Sequence, residues 1–298
     1  MRPRVSVIIP TIEEEGVFRV IKDIRKLLGT GTEIIVVDKS SEKYEQRLRK
    51  AGVTVIRQRD SGVEKALMHG FRAAHGTILA NTDGDGTHDT RGLVECVKLI
   101  QSGKADIVLA NRLNRLEKGS MTPYLKFGNT ILSGLFSSLY KVRIHDILTG
   151  QFAMRKSAFD EVREIEPYRS GNATTYAIEL ARRGYVIREV DIKYYKREHG
   201  ESKIARHKST YGLQVATNII RQVRDYSPLA IFGALGVLLI LVGLVLGGFV
   251  LASFLSSGQF SQIGRALLSF MLIVLGLLAI FTGVILDLLL QIDRRIGH

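Results

Sequence analysis

The sequence predicts an α/β domain with a Rossmann-like, mostly parallel sheet, followed by a two-helix transmembrane hairpin. Three observations predict this fold class. Short apolar runs alternate with helical patterns in the N-terminal part of the chain, polar residues follow several of these runs, and two long uncharged stretches occupy the C-terminal part. A chain of 298 residues has room for one large domain or two smaller ones.

Five apolar runs rich in β-branched residues are predicted as strands: Val5–Ile9, Glu33–Asp38, Val53–Arg57, Thr77–Thr82 and Asp106–Asn111. Helical patterns separate them, at Glu14–Leu28, Glu42–Ala51, Gly62–Ala74 and Thr90–Gln101. This alternation is typical of a parallel sheet that is covered on both faces. Beyond Arg112 the pattern is looser, with a helix near Pro123–Leu139, a strand near Gln151–Arg155, and further elements at Thr174–Arg183 and Val186–Lys193.

Two carboxylates, Asp83 and Asp85, stand one residue apart directly after the fourth predicted strand. Alternate side chains of an extended chain share a face, so both acids are expected to reach the same small space. Hard oxygen ligands at a strand end suit a divalent cation that takes its other ligands from substrate phosphates. An isolated Asp-x-Asp is more often a polar turn than a cation site. The residues at the neighbouring strand ends are needed to distinguish these two interpretations.

Polar residues follow the other predicted strands as well. Pro10–Glu14 follows the first strand, Asp38–Ser41 the second and Asn111-Arg112 the fifth. Thr11 and Ser40 are also good helix-capping residues, which is the structural alternative. Several polar clusters at one sheet edge indicate a ligand cleft, because open α/β sheets bind ligands at the carboxyl ends of their strands.

The C-terminal part predicts two transmembrane helices. Pro228–Leu255 and Ala266–Ile292 contain only one charged residue, Asp287, and each exceeds the roughly 20 helical residues that cross a hydrocarbon core. Buried helices of a soluble core are the alternative. Arginines flank the pair on its outer ends, at 221, 224, 294 and 295, whereas the Ser256–Gly264 hairpin is followed only by Arg265. This bias predicts that both termini and the whole globular part face the cytoplasm.

The net charge of +13 predicts anionic partners. No nucleic-acid motif is evident, so lipid headgroups and phosphorylated substrates are favoured over nucleic acid. Residues 206–226 form a basic, amphipathic pattern that suits a helix lying along the headgroups or packing against the domain. The single Cys96 excludes an internal disulfide and fits a reducing compartment, and charge near the N-terminus predicts no signal peptide.

Several motifs in order resemble the family-2 glycosyltransferases of the GT-A fold and, more narrowly, their polyprenyl-phosphate branch. They are Val5–Thr11, the run ending at Asp38, Asp83-Gly-Asp85, Asn111-Arg112, Gly128-Asn129, Asp146 with Thr149-Gly150, Arg197 and Gly200-Glu-Ser-Lys203. The resemblance covers about Val5–Tyr226. Together with the two predicted spans it accounts for nearly the whole chain. The predicted organisation is a catalytic domain over residues 1–205, a juxtamembrane helix over 206–226 and the two spans over 227–298, in a protein of the cell membrane.

The resemblance also implies a role for each matching residue. Pro10, Thr11, Glu14 and Asp38 would line the nucleotide pocket. Asp83, Gly84 and Asp85 would face the diphosphate, with Mg²⁺ or Mn²⁺ held by the two acids and completed by Thr87, or by His88 beside it. Arg112 would face the acceptor phosphate or the donor diphosphate, and Arg197 and Lys203 would neutralise phosphate. Asp85 and Arg112 are the residues expected to carry the reaction.

The implied reaction is inverting transfer of a hexose from a nucleotide sugar to dolichyl or polyprenyl phosphate. GDP-mannose is the first choice, with UDP-glucose and UDP-N-acetylglucosamine next. The chain departs from the family pattern at three positions: Glu13 replaces Asn, Lys39 replaces a second Asp, and Gln151 stands where Phe is usual. The departures at Lys39 and Gln151 leave the donor open. The alternatives are a phosphatase that uses Asp83–Thr87, a processive polysaccharide synthase and a non-catalytic scaffold. A homo-oligomer stays open.

Overall fold

The computed structural model describes residues 4–59, 62–164, 173–197, 228–258 and 262–296. The chain divides into two compact units, Met1–Arg206 and His207–His298. Each unit is described by itself. Lys203 and the predicted basic helix over 206–226 lie outside the described residues.

The first unit is built on a seven-stranded sheet. Its strands are β1 Val5–Thr11, β2 Glu33–Asp38, β3 Thr54–Arg57, β4 Ile78–Asn81, β5 Ile107–Asn111, β6 Phe152–Arg155 and β7 Ile187–Asp191. Their order across the sheet is β3-β2-β1-β4-β6-β5-β7. Only β6 runs antiparallel to its neighbours, β4 and β5. The predicted α/β class with a mostly parallel sheet is therefore confirmed.

Helices connect the strands. The described part of this unit contains α1 Gly16–Leu28, α2 Glu42–Lys50, α3 Val63–Ala73, α4 Thr90–Gln101, α5 Pro123–Tyr140, α6 Lys156–Asp160 and α7 Ala173–Arg182. The predicted bounds of β2 and α4 match those observed, and the short α6 was not predicted.

The core forms where helices cover the sheet. In α1, Val17 and Ile24 point inward two helical turns apart and are fully buried, as are Val7 and Ile9 of β1. Complete burial of one such side chain stabilises the fold by about 1.5–3 kcal/mol. This packing fixes the carboxyl ends of β1, β2 and β4. The strand order reverses at β1 and β4, which is where a doubly wound sheet opens a ligand crevice.

The second unit contains α8 Pro228–Ser257 and α9 Ile263–Ile296. An α-helix rises about 1.5 Å per residue, so the 30 residues of α8 exceed a hydrocarbon core of about 30 Å. Only 11% of the most apolar window of each helix is buried, which disfavours the alternative of buried helices in a soluble core. The two apolar C-terminal helices are confirmed, and the chain has the features of a membrane protein.

The two long helices contact each other through backbone at a pair of glycines. A Cβ atom on Gly276 would lie 2.6 Å from the carbonyl oxygen of Gly236. We expect Gly276→Leu to lower the free energy of unfolding by about 1–3 kcal/mol, because overpacking forces the helices apart. Thermal unfolding in detergent measures the effect. Gly248→Leu is the matched control, because a Cβ on Gly248 meets nothing within 4 Å. Equal stability of the two variants would contradict this packing.

Candidate active site

The two carboxylates lie in a turn beyond β4. The fourth strand ends at Asn81, and Gly84 and Asp85 form a turn in which Gly86 has a φ of +73°. The expectation that both acids share one face of an extended strand is wrong, because this glycine-rich turn ends the strand early. The turn still gathers the side chains. Each of Asp83, Asp85 and His88 offers one atom that could bind a metal ion, and these three atoms lie within 4.8 Å of one another.

Thr87 orients Asp85. Its backbone N–H and its Oγ1 hydroxyl donate to Oδ1 of Asp85 at 3.0 and 2.8 Å. These bonds fix the carboxylate and leave Oδ2 facing Arg197 at 3.4 Å. Thr87 thus acts as a support for Asp85 in this arrangement, and its role as a metal ligand stays a prediction.

His88 completes the cluster. Its Nδ1 lies 3.5 Å from Oδ2 of Asp83, and its side chain is 1% exposed. Burial, followed by the charge of Arg112, lowers the pKa of His88 to about 4, so the ring is neutral near pH 7. A neutral imidazole nitrogen beside two carboxylate oxygens is a donor set that suits a divalent metal ion.

Asp83 lies beside a second carboxylate, Asp85. Desolvation, followed by repulsion from Asp85, raises the pKa of Asp83 to about 7. The Asp83 side chain is 38% exposed, and the Asp85 carboxylate lies close to it. A divalent cation between these carboxylates would remove the repulsion, so the residues present fit Mg²⁺ or Mn²⁺.

The pKa of Asp83 predicts pH-dependent metal binding. Metal and proton compete for this carboxylate, and a raised pKa means that the proton is retained up to higher pH. We expect Mn²⁺ affinity to fall about tenfold from pH 8 to pH 6, since the ionised fraction falls by about that factor around a pKa of 7. Electron paramagnetic resonance of free Mn²⁺ measures this change. Asp83→Asn should bind Mn²⁺ more weakly and lose the pH dependence; an unchanged dependence would contradict the assignment.

Gly150 brings the backbone before β6 against Asp83. A Cβ atom at this position would lie 2.6 Å from Oδ2 of Asp83. The carbonyl oxygen of Gly150 accepts a hydrogen bond from Nδ2 of Asn81 at 2.5 Å. A side chain at position 150 would therefore force the Asp83 carboxylate to move.

Arg112 is held by a buried carboxylate. Its Nε and Nη2 donate to the two oxygens of Asp146 at 2.7 and 2.8 Å, and Nη2 also donates to the Leu148 carbonyl at 2.9 Å. Asn129 Nδ2 donates to the same carboxylate at 2.5 Å. Asp146 thus occupies the bidentate edge of the guanidinium. Within the described residues, Nη1 has no hydrogen-bond partner.

Arg112 and Asp146 both stay charged in this pair. Burial alone would lower the pKa of Arg112, but the Asp146 carboxylate raises it above its ordinary value. Burial alone would raise the pKa of Asp146, but the guanidinium lowers it. The site therefore keeps one oriented cation whose charge acts on Asp83.

The Tyr194 ring contacts both Arg112 and His88. The Arg112 Cζ lies 5.4 Å from the centroid of the Tyr194 ring, and the same ring makes an edge contact with His88 at 5.1 Å between centroids. Sequence reasoning missed Tyr194, because nothing near it in the chain indicates that it bridges two loops.

Arg197 lies in the site. Its Nη2 forms ion pairs with Glu14 at 2.7 Å and with Asp85 at 3.4 Å, and its side chain is 18% exposed. Arg197 is therefore largely buried and ion-paired in this arrangement. Lys203, its predicted companion, lies outside the described residues.

Asp38 and its neighbours form the other end of the crevice. Asp38 is fully buried and accepts hydrogen bonds from the Ser40 hydroxyl at 2.5 Å and the Ser40 N–H at 3.2 Å. The Ser40 Oγ in turn accepts from the Glu13 N–H at 2.6 Å. Pro10 and Thr11 end β1 in register with Val37 and Asp38 of β2, respectively. The structure therefore brings the predicted pocket residues to one edge.

Comparison with known proteins gives the same fold and family. Residues 6–163 match the family described as Glycosyl transferase family 2. A dolichyl-phosphate hexose transferase of Haloferax volcanii is 31% identical over 194 residues, covering 64% of this chain and 82% of that protein. A dolichol-phosphate mannosyltransferase of Pyrococcus furiosus is 30% identical over 213 residues, covering 67% of this chain and 59% of that protein.

Solved structures agree on the fold. Glucosyl-3-phosphoglycerate synthase from Mycobacterium tuberculosis, in complex with Mg²⁺ and uridine diphosphate, superposes with a TM-score of 0.55 at 20% identity. The match covers 74% of this chain and 79% of that one. The predicted GT-A fold and the prediction of a glycosyltransferase are confirmed. More than half of the chain matches a single enzyme family, and the protein belongs to glycosyl transferase family 2.

Proposed function

We propose that the protein transfers a hexose from a nucleotide sugar to dolichyl or polyprenyl phosphate at the cytoplasmic face of the membrane. One observation carries this proposal. Asp83, Asp85 and His88 form a candidate cation site beside two arginines, Arg112 and Arg197, in a chain that also has two membrane-length apolar helices. The relatives named as dolichyl-phosphate hexose and mannosyl transferases support the same acceptor class.

The donor would lie across the crevice between β1 and β4. Asp38 and Ser40 would face the nucleoside, Pro10, Thr11 and Glu14 would line its path, and the diphosphate would reach Asp83 and Asp85. A bound Mg²⁺ or Mn²⁺ would supply charge neutralisation for the departing diphosphate. Arg197, now paired with Glu14 and Asp85, would turn toward the diphosphate when a cation replaces it at Asp85.

The acceptor needs little chemical activation. A lipid phosphate oxygen forms a bond to the anomeric carbon, while the bond from that carbon to the diphosphate oxygen breaks and its electron pair leaves with the diphosphate. The phosphate is already an anion, so no strong base is required, and in-line displacement inverts the anomeric centre. Arg112 would direct Nη1 toward the phosphates, with its other nitrogens fixed by Asp146. Such preorganised charge is the main source of rate enhancement.

The structure gives no support to the phosphatase alternative. In phosphatases that use an Asp-x-Asp motif of this kind, the motif normally follows the first strand of the fold. Here it follows β4, and three strand-helix units precede it. A scaffold with a decayed pocket is disfavoured because the described site retains both acids and the oriented arginine.

Incubation of the full chain with each labelled nucleotide sugar and polyprenyl phosphate tests the function. We expect one labelled lipid that requires added polyprenyl phosphate and is cleaved by mild acid. GDP-mannose is the first choice of donor, followed by UDP-glucose and UDP-N-acetylglucosamine. Release of inorganic phosphate without sugar transfer, or a water-soluble polymer, would exclude this function.

The orientation of the hairpin is a separate proposal. Arginines at both outer ends favour cytoplasmic termini, so the turn after α8 should face the opposite side of the membrane. In sealed vesicles, a membrane-impermeant thiol reagent should label Ser257→Cys only from the non-cytoplasmic side. Lys104→Cys, in the catalytic unit, should show the opposite result. Labelling of both variants from the same side would contradict this topology.

A further inference from the structure

Strand β7, at the edge of the sheet, carries two carboxylates two residues apart, Glu189 and Asp191. Side chains at this spacing on a strand lie on the same face of the sheet. Glu189 is the register partner of Leu109 on β5, and Asp191 is the register partner of Asn111. Both acids therefore lie beside the end of β5 that leads into Arg112.

Glu189 binds the backbone at Asp146. Its Oε1 accepts the N–H groups of His145 and Asp146, both at 2.9 Å. Its Oε2 lies 2.8 Å from Nδ1 of the His145 ring, and the Glu189 side chain is only 9% exposed. Hydrogen bonds to an ionised acceptor are roughly twice as strong as neutral ones. The Glu189 carboxylate therefore fixes two consecutive peptide units at the residue that holds Arg112.

Asp191 binds the loop on the other side of the same cation. Its Oδ1 accepts from Nδ2 of Asn111 at 2.9 Å and from Nδ2 of Asn114 at 3.0 Å. Asn111 is fully buried, and its own Oδ1 accepts the Leu113 N–H at 2.9 Å. These bonds hold the residues immediately before and after Arg112.

We propose that Glu189 and Asp191 are positioning residues that keep Arg112 aimed into the candidate site. Glu189 acts through Asp146, and Asp191 acts through Asn111. A displacement of about 1 Å can cost about a hundredfold in rate, so the position of the guanidinium matters for transfer. This consequence for transfer rests on the proposed function, whereas the fixing of Arg112 does not.

The alternative is a purely structural role, in which the two acids only attach β7 to the sheet. That role predicts a lower unfolding temperature when an acid is removed, without any specific effect on Arg112. Measurements that report on Arg112 itself therefore distinguish the two interpretations.

Glu189→Ala in the full chain tests the positioning role. We expect the turnover number for labelled sugar to fall by about a hundredfold. The Michaelis constant for the nucleotide sugar should stay within about twofold, because the Asp38 end of the crevice is untouched. Glu189→Gln keeps one oxygen that can accept both backbone N–H groups, and it should recover most of the turnover that the alanine variant loses.

Hydrogen exchange resolved at single residues reports on Arg112 without an assay of transfer. The Arg112 N–H donates to Oδ2 of Asp146 at 2.9 Å. Its exchange should become at least about tenfold faster in Glu189→Ala, because the segment that carries its acceptor opens more often. Asp191→Ala leaves the Glu189 bonds intact and should have the same effect, so it tests the proposal even if Glu189→Ala does not fold.

Asp106→Ala is the matched control, because Asp106 accepts the Val186 N–H at 2.8 Å at the opposite end of β5 and β7. It should lower the unfolding temperature while leaving turnover and exchange at Arg112 unchanged. Parent-like exchange at Arg112 in Glu189→Ala or Asp191→Ala, or parent-like turnover in either variant, would overturn the proposal. The expected changes in exchange, in a protein whose parent form transfers no sugar, would overturn only the proposed function.

Discussion

Replacing Asp85 by asparagine is expected to reduce sugar transfer by at least about a hundredfold, since loss of even an outer-shell partner of a metal ligand costs 10- to 100-fold. The substitution removes one negative charge where the diphosphate and cation would meet. It retains the Oδ1 acceptor that binds the N–H and hydroxyl of Thr87. The thermal unfolding temperature should therefore change little. Transfer of labelled sugar to lipid, measured at saturating Mn²⁺, gives the result.

Glu164→Gln is the matched control, because it also neutralises a carboxylate but at an exposed ion pair with Arg163. Its turnover should equal that of the parent. Full transfer by Asp85→Asn, or full transfer by the parent protein in EDTA, would show that the acid cluster does not bind an essential cation.

Replacing Asp146 by alanine is expected to destabilise the catalytic unit by about 3–5 kcal/mol, because it leaves the buried guanidinium of Arg112 without its partner. For a domain of this size each kcal/mol corresponds to about 2–4 °C in unfolding temperature. Transfer should also be lost, since the bonds that aim Arg112 are gone. Thermal unfolding and turnover are measured on the same preparation.

A double variant separates stability from turnover. Arg112→Met combined with Asp146→Leu removes both charges and should recover much of the lost stability, because well-packed apolar pairs replace buried ion pairs at little cost. Transfer should remain absent. Glu15→Ala breaks the exposed pair with Arg47 and should change neither measurement. An active double variant would show that Arg112 has only a structural role.

Local signals predicted the framework well. The bounds of β2 and α4 were predicted correctly from a β-branched run and a helical pattern, and in the structure the Asp89 carboxylate caps α4 by accepting the Arg91 N–H. The predicted end of β4, Thr82, lies beyond the observed end, Asn81. An apolar pattern does not reveal that a turn containing Gly84 and Gly86 follows the strand. The short α6 was missed because five residues are too few to show a helical period.

The candidate site could be predicted only as a set of residues, without their pairings. Arg112 and Asp146 are separated by 34 residues, and periodicity does not show that β6 returns between β4 and β5. The sequence predicts that Arg112 faces a phosphate, whereas the structure shows that Nε and Nη2 of its guanidinium bind Asp146. The contact of Tyr194 with both Arg112 and His88 depends on the same long-range topology.

The reversed direction of β6 determines which residues lie between Arg112 and Asp83. Because β6 runs against its neighbours, the five residues Asp146–Gly150 that precede it begin at Arg112 and end at Asp83. A peptide of this length spans at most about 17 Å. This single covalent segment therefore limits how far apart its contacts with Arg112 and Asp83 can lie. Lengthening this segment by one residue would alter that spacing while leaving both ends chemically intact.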